Sequence, residues 1–168
     1  TADLNGDGKL DIVTTNEGNI MTAAGGTISA WLNQGGGTFG TRVDSNAAAT
    51  FIAAFIHDVN SDGAMDVGLA FNKFGPYVTS FLNVGNGSFG PPRTIVPITK
   101  PQAITSADVN KDGYTDLIMY AETAFGVASG LGNGSFGPNA WYSEYLGSIY
   151  RAHTADMNND TWPDILLP

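Results

Sequence analysis

Apolar residues in this chain come in short runs set between turn residues. Four runs stand out: DIVTT (11–15), DVGLA (66–70), DLIMY (116–120) and DILLP (164–168). Each opens on an aspartate, is too short for a stable helix and is rich in β-branched or aromatic residues, which predicts a strand. Their apolar character predicts burial on both faces. The second unit shows four strands: about Thr50–His57, Asp66–Phe71, Tyr77–Asn83 and Pro92–Pro97. The third repeats them with ITSA (104–107), DLIMY and GVASG (126–130). The pattern predicts an all-β chain of repeated units.

One nine-residue loop precedes each run: DLNGDGKLD (3–11), DVNSDGAMD (58–66), DVNKDGYTD (108–116) and DMNNDTWPD (156–164). Oxygen-bearing side chains stand at positions 1, 3, 5 and 9. They are Asp3, Asn5, Asp7 and Asp11; Asp58, Asn60, Asp62 and Asp66; Asp108, Asn110, Asp112 and Asp116; and Asp156, Asn158, Asp160 and Asp164. Calcium takes six to eight oxygen ligands, and short carboxylates on alternate residues of a tight loop converge on such an ion. The backbone carbonyl at position 7 (Lys9, Ala64, Tyr114 or Trp162) is a natural further ligand. Glycine at position 6 (Gly8, Gly63, Gly113) permits a positive φ. Asp, Asn and Gly also dominate ordinary turns, but four copies with a further aspartate at position 9 predict up to four calcium sites. Thr161 replaces glycine in the last loop, so that site is expected to be the weakest or altered in geometry.

The charge supports this reading. Twelve of the 16 acidic residues stand at positions 1, 5 and 9 of the loops, and four calcium ions would bring the formal −9 close to neutral. Only 14% of residues are charged and 22 are glycine, which suits short strands and many tight turns. Seven basic residues without a cluster argue against nucleic acid. No apolar run reaches the roughly 18–20 residues needed to cross a membrane. There is no cysteine, so no disulfide framework.

A second motif lies between the loops: WLNQGGGTFG (31–40), FLNVGNGSFG (81–90) and ASGLGNGSFG (128–137), each read as a hairpin. The loops begin 55, 50 and 48 residues apart. A period near 50 with four short strands per unit is the signature of a β-propeller blade. Loops and hairpins together resemble the FG-GAP/VCBS repeats of integrin α-subunit propellers and of many secreted propellers. The resemblance covers essentially the whole chain, and it implies calcium in the loop between the first two strands of each blade. The expected fold is an all-β propeller of four-stranded antiparallel blades, with repeats at about 1–49, 50–99, 100–148 and an incomplete 149–168. That is about three and a third blades, part of a larger ring such as a seven-bladed one, whose remaining blades or a self-assembly partner would complete it.

Length variation sorts the loops. From each loop aspartate to the hairpin phenylalanine (Phe39, Phe89, Phe136) the chain takes 36, 31 and 28 residues, against 19, 19 and 20 onward to the next loop. Variable loops on a fixed scaffold carry recognition, which assigns ligand binding to the face opposite the metals. Candidates there are Asn16, Glu17, Asn19, Lys73, Phe74, Tyr77, Glu122 and Phe125, with an aromatic cluster of Trp141, Tyr142, Tyr145 and Tyr150. Aromatic rings stack on sugars, and they also fill cores. His57 and His153 occupy different repeat positions and form no site. No catalytic constellation is present. Asn86, Asn133 and Asn159 open N-glycosylation sequons, or are simply turn residues.

The expected function is a secreted or cell-surface calcium-binding propeller module. Calcium is structural, and the partner is a glycan or an extracellular protein, as in adhesion proteins and propeller lectins. Weak loops fill where calcium is millimolar, outside the cell. The alternatives are a structural repeat of an extracellular assembly and a non-catalytic domain of a polysaccharide-active enzyme.

Overall fold

The computed structural model describes residues 1–18, 25–47, 51–71, 77–97, 101–121, 124–143 and 151–166. The first blade holds β1 (Ile12–Asn16), β2 (Gly26–Trp31), β3 (Asn33–Gly35), β4 (Thr38–Phe39) and β5 (Val43–Ala47). The second holds β6 (Phe51–His57), β7 (Asp66–Phe71), β8 (Tyr77–Phe81) and β9 (Arg93–Pro97). The third holds β10 (Pro101–Ala107), β11 (Asp116–Ala121), β12 (Ala124–Gly130) and β13 (Phe136–Ser143). β14 (His153–Ala155) and β15 (Asp164–Leu166) begin a fourth. β6 to β9 and β10 to β13 form two antiparallel four-stranded sheets in sequence order. The first blade is the three-stranded sheet β1-β2-β5, with β3-β4 as its hairpin. The chain is thus an all-β propeller array of antiparallel blades. β7 has the bounds read from the sequence, and β8 is shorter, its continuation reduced to a single Asn83–Phe89 rung.

The second strand of each complete blade is a partition between two cores. Alternate residues of a strand face opposite sides of its sheet. Val67, Leu69 and Phe71 of β7 pack with Leu4, Ile28 and Ala30 of the first blade. Ala70 faces the other way, with Phe55 and Val59, toward Leu117 and Met119 of β11. Ile118 and Tyr120 in turn face Ala152 and Ile165 of the fourth blade. All six residues of β7 and of β11 are buried. Each large side chain so buried contributes about 1.5–3 kcal/mol.

β1 departs from the expectation of burial on both faces. Its residues 12–15 are only half-buried and Asn16 is exposed. One face of its sheet is polar. Thr14, Asn16, Thr27, Ser29 and Asp44 share the face turned away from the second blade. There Asn16 Nδ2 donates to Thr27 Oγ1 (3.0 Å) and Ser29 Oγ (2.8 Å), and Ser29 Oγ donates to Asp44 Oδ1 (2.6 Å). β15 is likewise half-buried. Ala2 pairs with Asp11 in a single rung ahead of β1.

Gly68 makes room for the core. A Cβ there would lie 2.0 Å from Phe55 Cε1, since the Phe55 ring lies flat over its cross-strand partner. Trp141 covers Gly126 the same way, with 2.8 Å to Cε3. Phe55 is buried and cannot yield, whereas Trp141 is half-exposed. Gly68→Ala is therefore expected to cost about 1–3 kcal/mol, and Gly126→Ala distinctly less. Urea midpoints of the two variants check the order.

Candidate metal loops

The four loops share one hydrogen-bond pattern. The position 1 carboxylate accepts the N–H of position 5 through one oxygen and of position 6 through the other. In the second loop these are Asp62 N to Asp58 Oδ1 (3.2 Å) and Gly63 N to Asp58 Oδ2 (2.8 Å). Asp3, Asp108 and Asp156 make the equivalent pairs. The position 3 amide oxygen accepts from the N–H of position 5, as Asn60 does from Asp62 at 3.2 Å. The position 5 carboxylate accepts the N–H of position 7, as Asp62 does from Ala64 at 2.8 Å. Asx turns thus nest inside one another, as Asp and Asn allow.

This winding requires two left-handed residues. Position 6 has φ near +80 to +90 at Gly8, Gly63 and Gly113, as the sequence led one to expect. Thr161 adopts φ 73° in the fourth loop. That loop keeps the shared bonds, with a β-branched residue held in a strained left-handed conformation. Position 4 is also left-handed, at Gly6, Ser61, Lys111 and Asn159. Sequence reasoning missed this. The only signal was that none of the four is β-branched.

Position 9 behaves differently from positions 1 to 5. Asp11, Asp66 and Asp116 are fully buried. In each, Oδ2 accepts the N–H of position 2 and Oδ1 accepts an N–H from the hairpin. The pairs are Leu4 (2.8 Å) and Asn33 (2.7 Å), Val59 (3.0 Å) and Asn83 (2.8 Å), and Val109 (3.0 Å) and Gly130 (2.8 Å). Asp164 keeps the first bond, from Met157 at 2.9 Å. This aspartate therefore clips its loop to its hairpin.

The electrostatics follow. Gly8 and its neighbours donate to Asp3 and hold its carboxyl below the usual range. Lys9 does the same for Asp7, at 2.9 Å. The N–H of Trp162 lowers Asp160. Burial pushes Asp66 from 3.8 up to about 6, against the pull of Asn83 and Val59, with Asp62 and Asp58 adding to the rise. Burial also raises Asp116.

Among the described residues, no three acidic or histidine side chains are grouped so as to hold a metal as they stand. The carboxylates of positions 1 and 5 are turned onto backbone N–H groups instead. The donor set still fits calcium: each loop gathers carboxylate, amide and carbonyl oxygens and no nitrogen or sulfur ligand. The residues that would hold the ion are those at positions 1, 3, 5, 7 and 9. Among the described residues, only the first loop has an ion-paired cation, Lys9.

The other candidates are dispersed. Asn16 is tied to Thr27 and Ser29. Glu17 is exposed. Tyr77 stacks on Phe71 with centroids 5.0 Å apart, and Phe125 lies between Tyr120 and Tyr142. Trp141 and Tyr142 are neighbours on β13 and face opposite sides of the sheet, so they are not one cluster. Asn19, Lys73, Phe74, Glu122, Tyr145 and Tyr150 lie outside the described residues. His57 Nδ1 meets Ser106 Oγ at 3.0 Å and its pKa is lowered by burial, while His153 is exposed on β14. Asn86 and Asn133 are exposed at hairpin tips, their Oδ1 atoms accepting from Ser88 and Ser135. One feature was not foreseen. Leu10, Met65, Tyr114, Met157 and Trp162 of the loops, with Val84 and Leu131 of the hairpins, are exposed apolar side chains.

Sheets of this kind, each opened by an aspartate-rich loop, define a loop-bearing propeller. The sequence profile of the FG-GAP-like repeat matches residues 3–69 and 58–119, and the chain belongs to that family. No curated protein matches. Among solved structures, an Agrocybe aegerita lectin that recognises non-reducing terminal N-acetylglucosamine is similar at 16% identity and TM-score 0.60, over 94% of this chain and 46% of the lectin. The Tc holotoxin pore of Photorhabdus luminescens is similar at 17% identity and TM-score 0.58, over 92% of this chain and 8% of that one. The chain thus spans less than half the length of either.

The buried clip has a pH signature in the metal-free protein. Folding favours protonated Asp66, so its contribution is fully present below about 3.8 and is lost as pH rises through about 6. Asp66→Asn should lessen that slope, leaving the smaller contribution of the same sign from Asp116. It should also cost about 1–3 kcal/mol, because an amide offers one oxygen to two N–H donors. Urea unfolding in chelator at pH 4.5 and pH 7 reads both effects.

Proposed function

We propose that this chain is a calcium-braced segment of an extracellular propeller that presents a binding surface for a saccharide. The observation that carries the metal reading is the repeated loop. Four times, acidic and amide oxygens are wound together, and in three of the four the described residues offer no ion-paired cation. Calcium relieves the repulsion among three carboxylates and cross-links positions 1 to 9. Its role is structural, since a metal saturated by protein oxygens leaves no open position for chemistry. The segment itself is not an enzyme.

The saccharide reading draws on the likeness to the lectin and on aromatic rings that are half-exposed at the blade edges, Trp141 and Tyr142. Aromatic rings of this kind stack on sugars. A terminal N-acetylglucosamine is the first ligand to try. A second reading has its own support: the apolar residues exposed on the loops and hairpins suit a protein partner, as in adhesion or assembly. Asn86 and Asn133 are placed for N-glycans if the protein is secreted from a eukaryotic cell.

A ligand that binds only the folded chain stabilises it by RT ln(1 + [L]/Kd). Replacing millimolar calcium by chelator should lower the melting temperature by several degrees or more, and an unchanged melt would rule out the metal reading. Asp62→Ala should lose more of the calcium-induced stabilisation than Asp160→Ala, because Thr161 already strains the fourth loop; equal losses would count against that ranking. Glycan-array binding by folded protein, with and without calcium, tests the saccharide reading. Binding to none of the glycans would leave the protein-partner reading.

A further inference from the structure

The position 2 residue of a metal loop is held from two sides. In the first loop the Leu4 N–H donates to Asp11 Oδ2 (2.8 Å), and the Leu4 carbonyl accepts from Asn83 Nδ2 (2.8 Å). Asn83 belongs to the next blade. Its own N–H donates to Asp66 Oδ1 (2.8 Å), its Nδ2 also reaches the Met65 carbonyl (3.1 Å), and its Oδ1 accepts from Gly85 N (2.7 Å). Asn83 is 6% exposed, so water does not stand in for these bonds. A line of hydrogen bonds therefore runs from the position 9 carboxylate of the first loop to that of the second.

One blade on, the loop is again tied to the next blade, by other atoms and without a continuous line between the two carboxylates. Val59 N–H donates to Asp66 Oδ2, and the Val59 carbonyl accepts from Gly134 N at 3.0 Å. The Asp58 carbonyl accepts from Thr115 Oγ1 at 2.9 Å. Gly130 stands where Asn83 stands in the preceding blade. A Cβ there would lie 2.2 Å from the Thr115 carbonyl oxygen, so no side chain fits and Thr115 supplies the cross-blade donor.

We infer that Asn83 couples metal binding in the first loop to metal binding in the second. The inference rests on the calcium reading above. An ion in the second loop orders Asp66, Asp66 fixes Asn83, and the Asn83 amide holds Leu4 and with it the first loop. A loop already ordered by its neighbour costs less to order for its own ion. Asn33 is the internal control. It makes the same local bonds, to Asp11 and to the Leu10 carbonyl, and among the described residues its side chain bonds to no other loop.

The test is a calcium titration followed at the Gly8 and Gly63 amide resonances, which report the first and second loops separately. Emptying the second loop by Asp62→Ala should raise the calcium midpoint at Gly8 about fivefold or more. Asp7→Ala should shift Gly63 by the same factor, since coupling is reciprocal. Asn83→Ala should abolish both shifts, and Asn33→Ala should keep them. If Asn83→Ala does not give a folded spectrum, Asn83→Gly, the residue type the third blade carries here, replaces it. A Gly8 midpoint indifferent to Asp62→Ala, or crosstalk that survives in the Asn83 variants, overturns the coupling. Gly8 and Gly63 resonances that ignore calcium altogether overturn the metal reading instead.

Discussion

A buried carboxylate held between two backbone N–H groups is the interaction on which each blade is assembled. Asp11, Asp66 and Asp116 head the second strand of their blades, and none is exposed. One oxygen secures the loop that precedes the strand and the other secures the hairpin that follows the adjacent strand. Among the described residues no cation pairs with the carboxylate, and the N–H donors offset part of its loss of water. That balance is poor at Asp66, whose carboxyl is driven up to about 6. The clip therefore fixes geometry at an electrostatic cost, which a divalent cation beside it would offset.

The clip matters because the loop it holds belongs to the boundary between blades. Leu4 and Val59, the position 2 residues of the first two loops, are almost fully buried, and each sits in a core shared by two successive blades. Their main-chain groups meet the position 9 carboxylate on one side and the next blade on the other. Side chain and backbone thus act at the same boundary. Packing supplies most of the energy, and the hydrogen bonds set the register at which the sheets meet.

Much of this was legible in the sequence because it repeats. The strand period of two, the spacing of the loops and the glycine at position 6 each have a local cause, and each recurs. The structure places β7 with the bounds read from its sequence. What was not legible depends on neighbours. The DIVTT run reads as apolar as its counterparts, yet its outer face is polar. That face is completed by Thr27, Ser29 and Asp44, which lie on strands with their own separate pattern. Asn83 and Gly130 occupy one repeat position and do opposite things, because Thr115 has a hydroxyl where Met65 has none. Trp141 and Tyr142 look like one cluster in sequence, and the pleat sends them to different faces.

The loops also explain why so acidic a chain needs few basic residues. Twelve carboxylates are confined to four short turns, where backbone N–H groups point inward at them. Those dipoles shape the turn, and they lower the pKa of the exposed positions such as Asp3 and Asp160. They do not remove net charge, so repulsion among positions 1, 5 and 9 persists in each loop. Lys9 in the first loop is a partial answer supplied by the chain itself, and Lys111 is another. It reaches from the third loop to Thr161 and lies 4.1 Å from the Trp162 ring of the fourth. The second loop has neither, and burial drives its clip, Asp66, up to about 6. Two blade boundaries meet at this loop: Asn83, held by Asp66, reaches the Leu4 carbonyl of the first blade, and the Val59 and Asp58 carbonyls accept from Gly134 and Thr115 of the third.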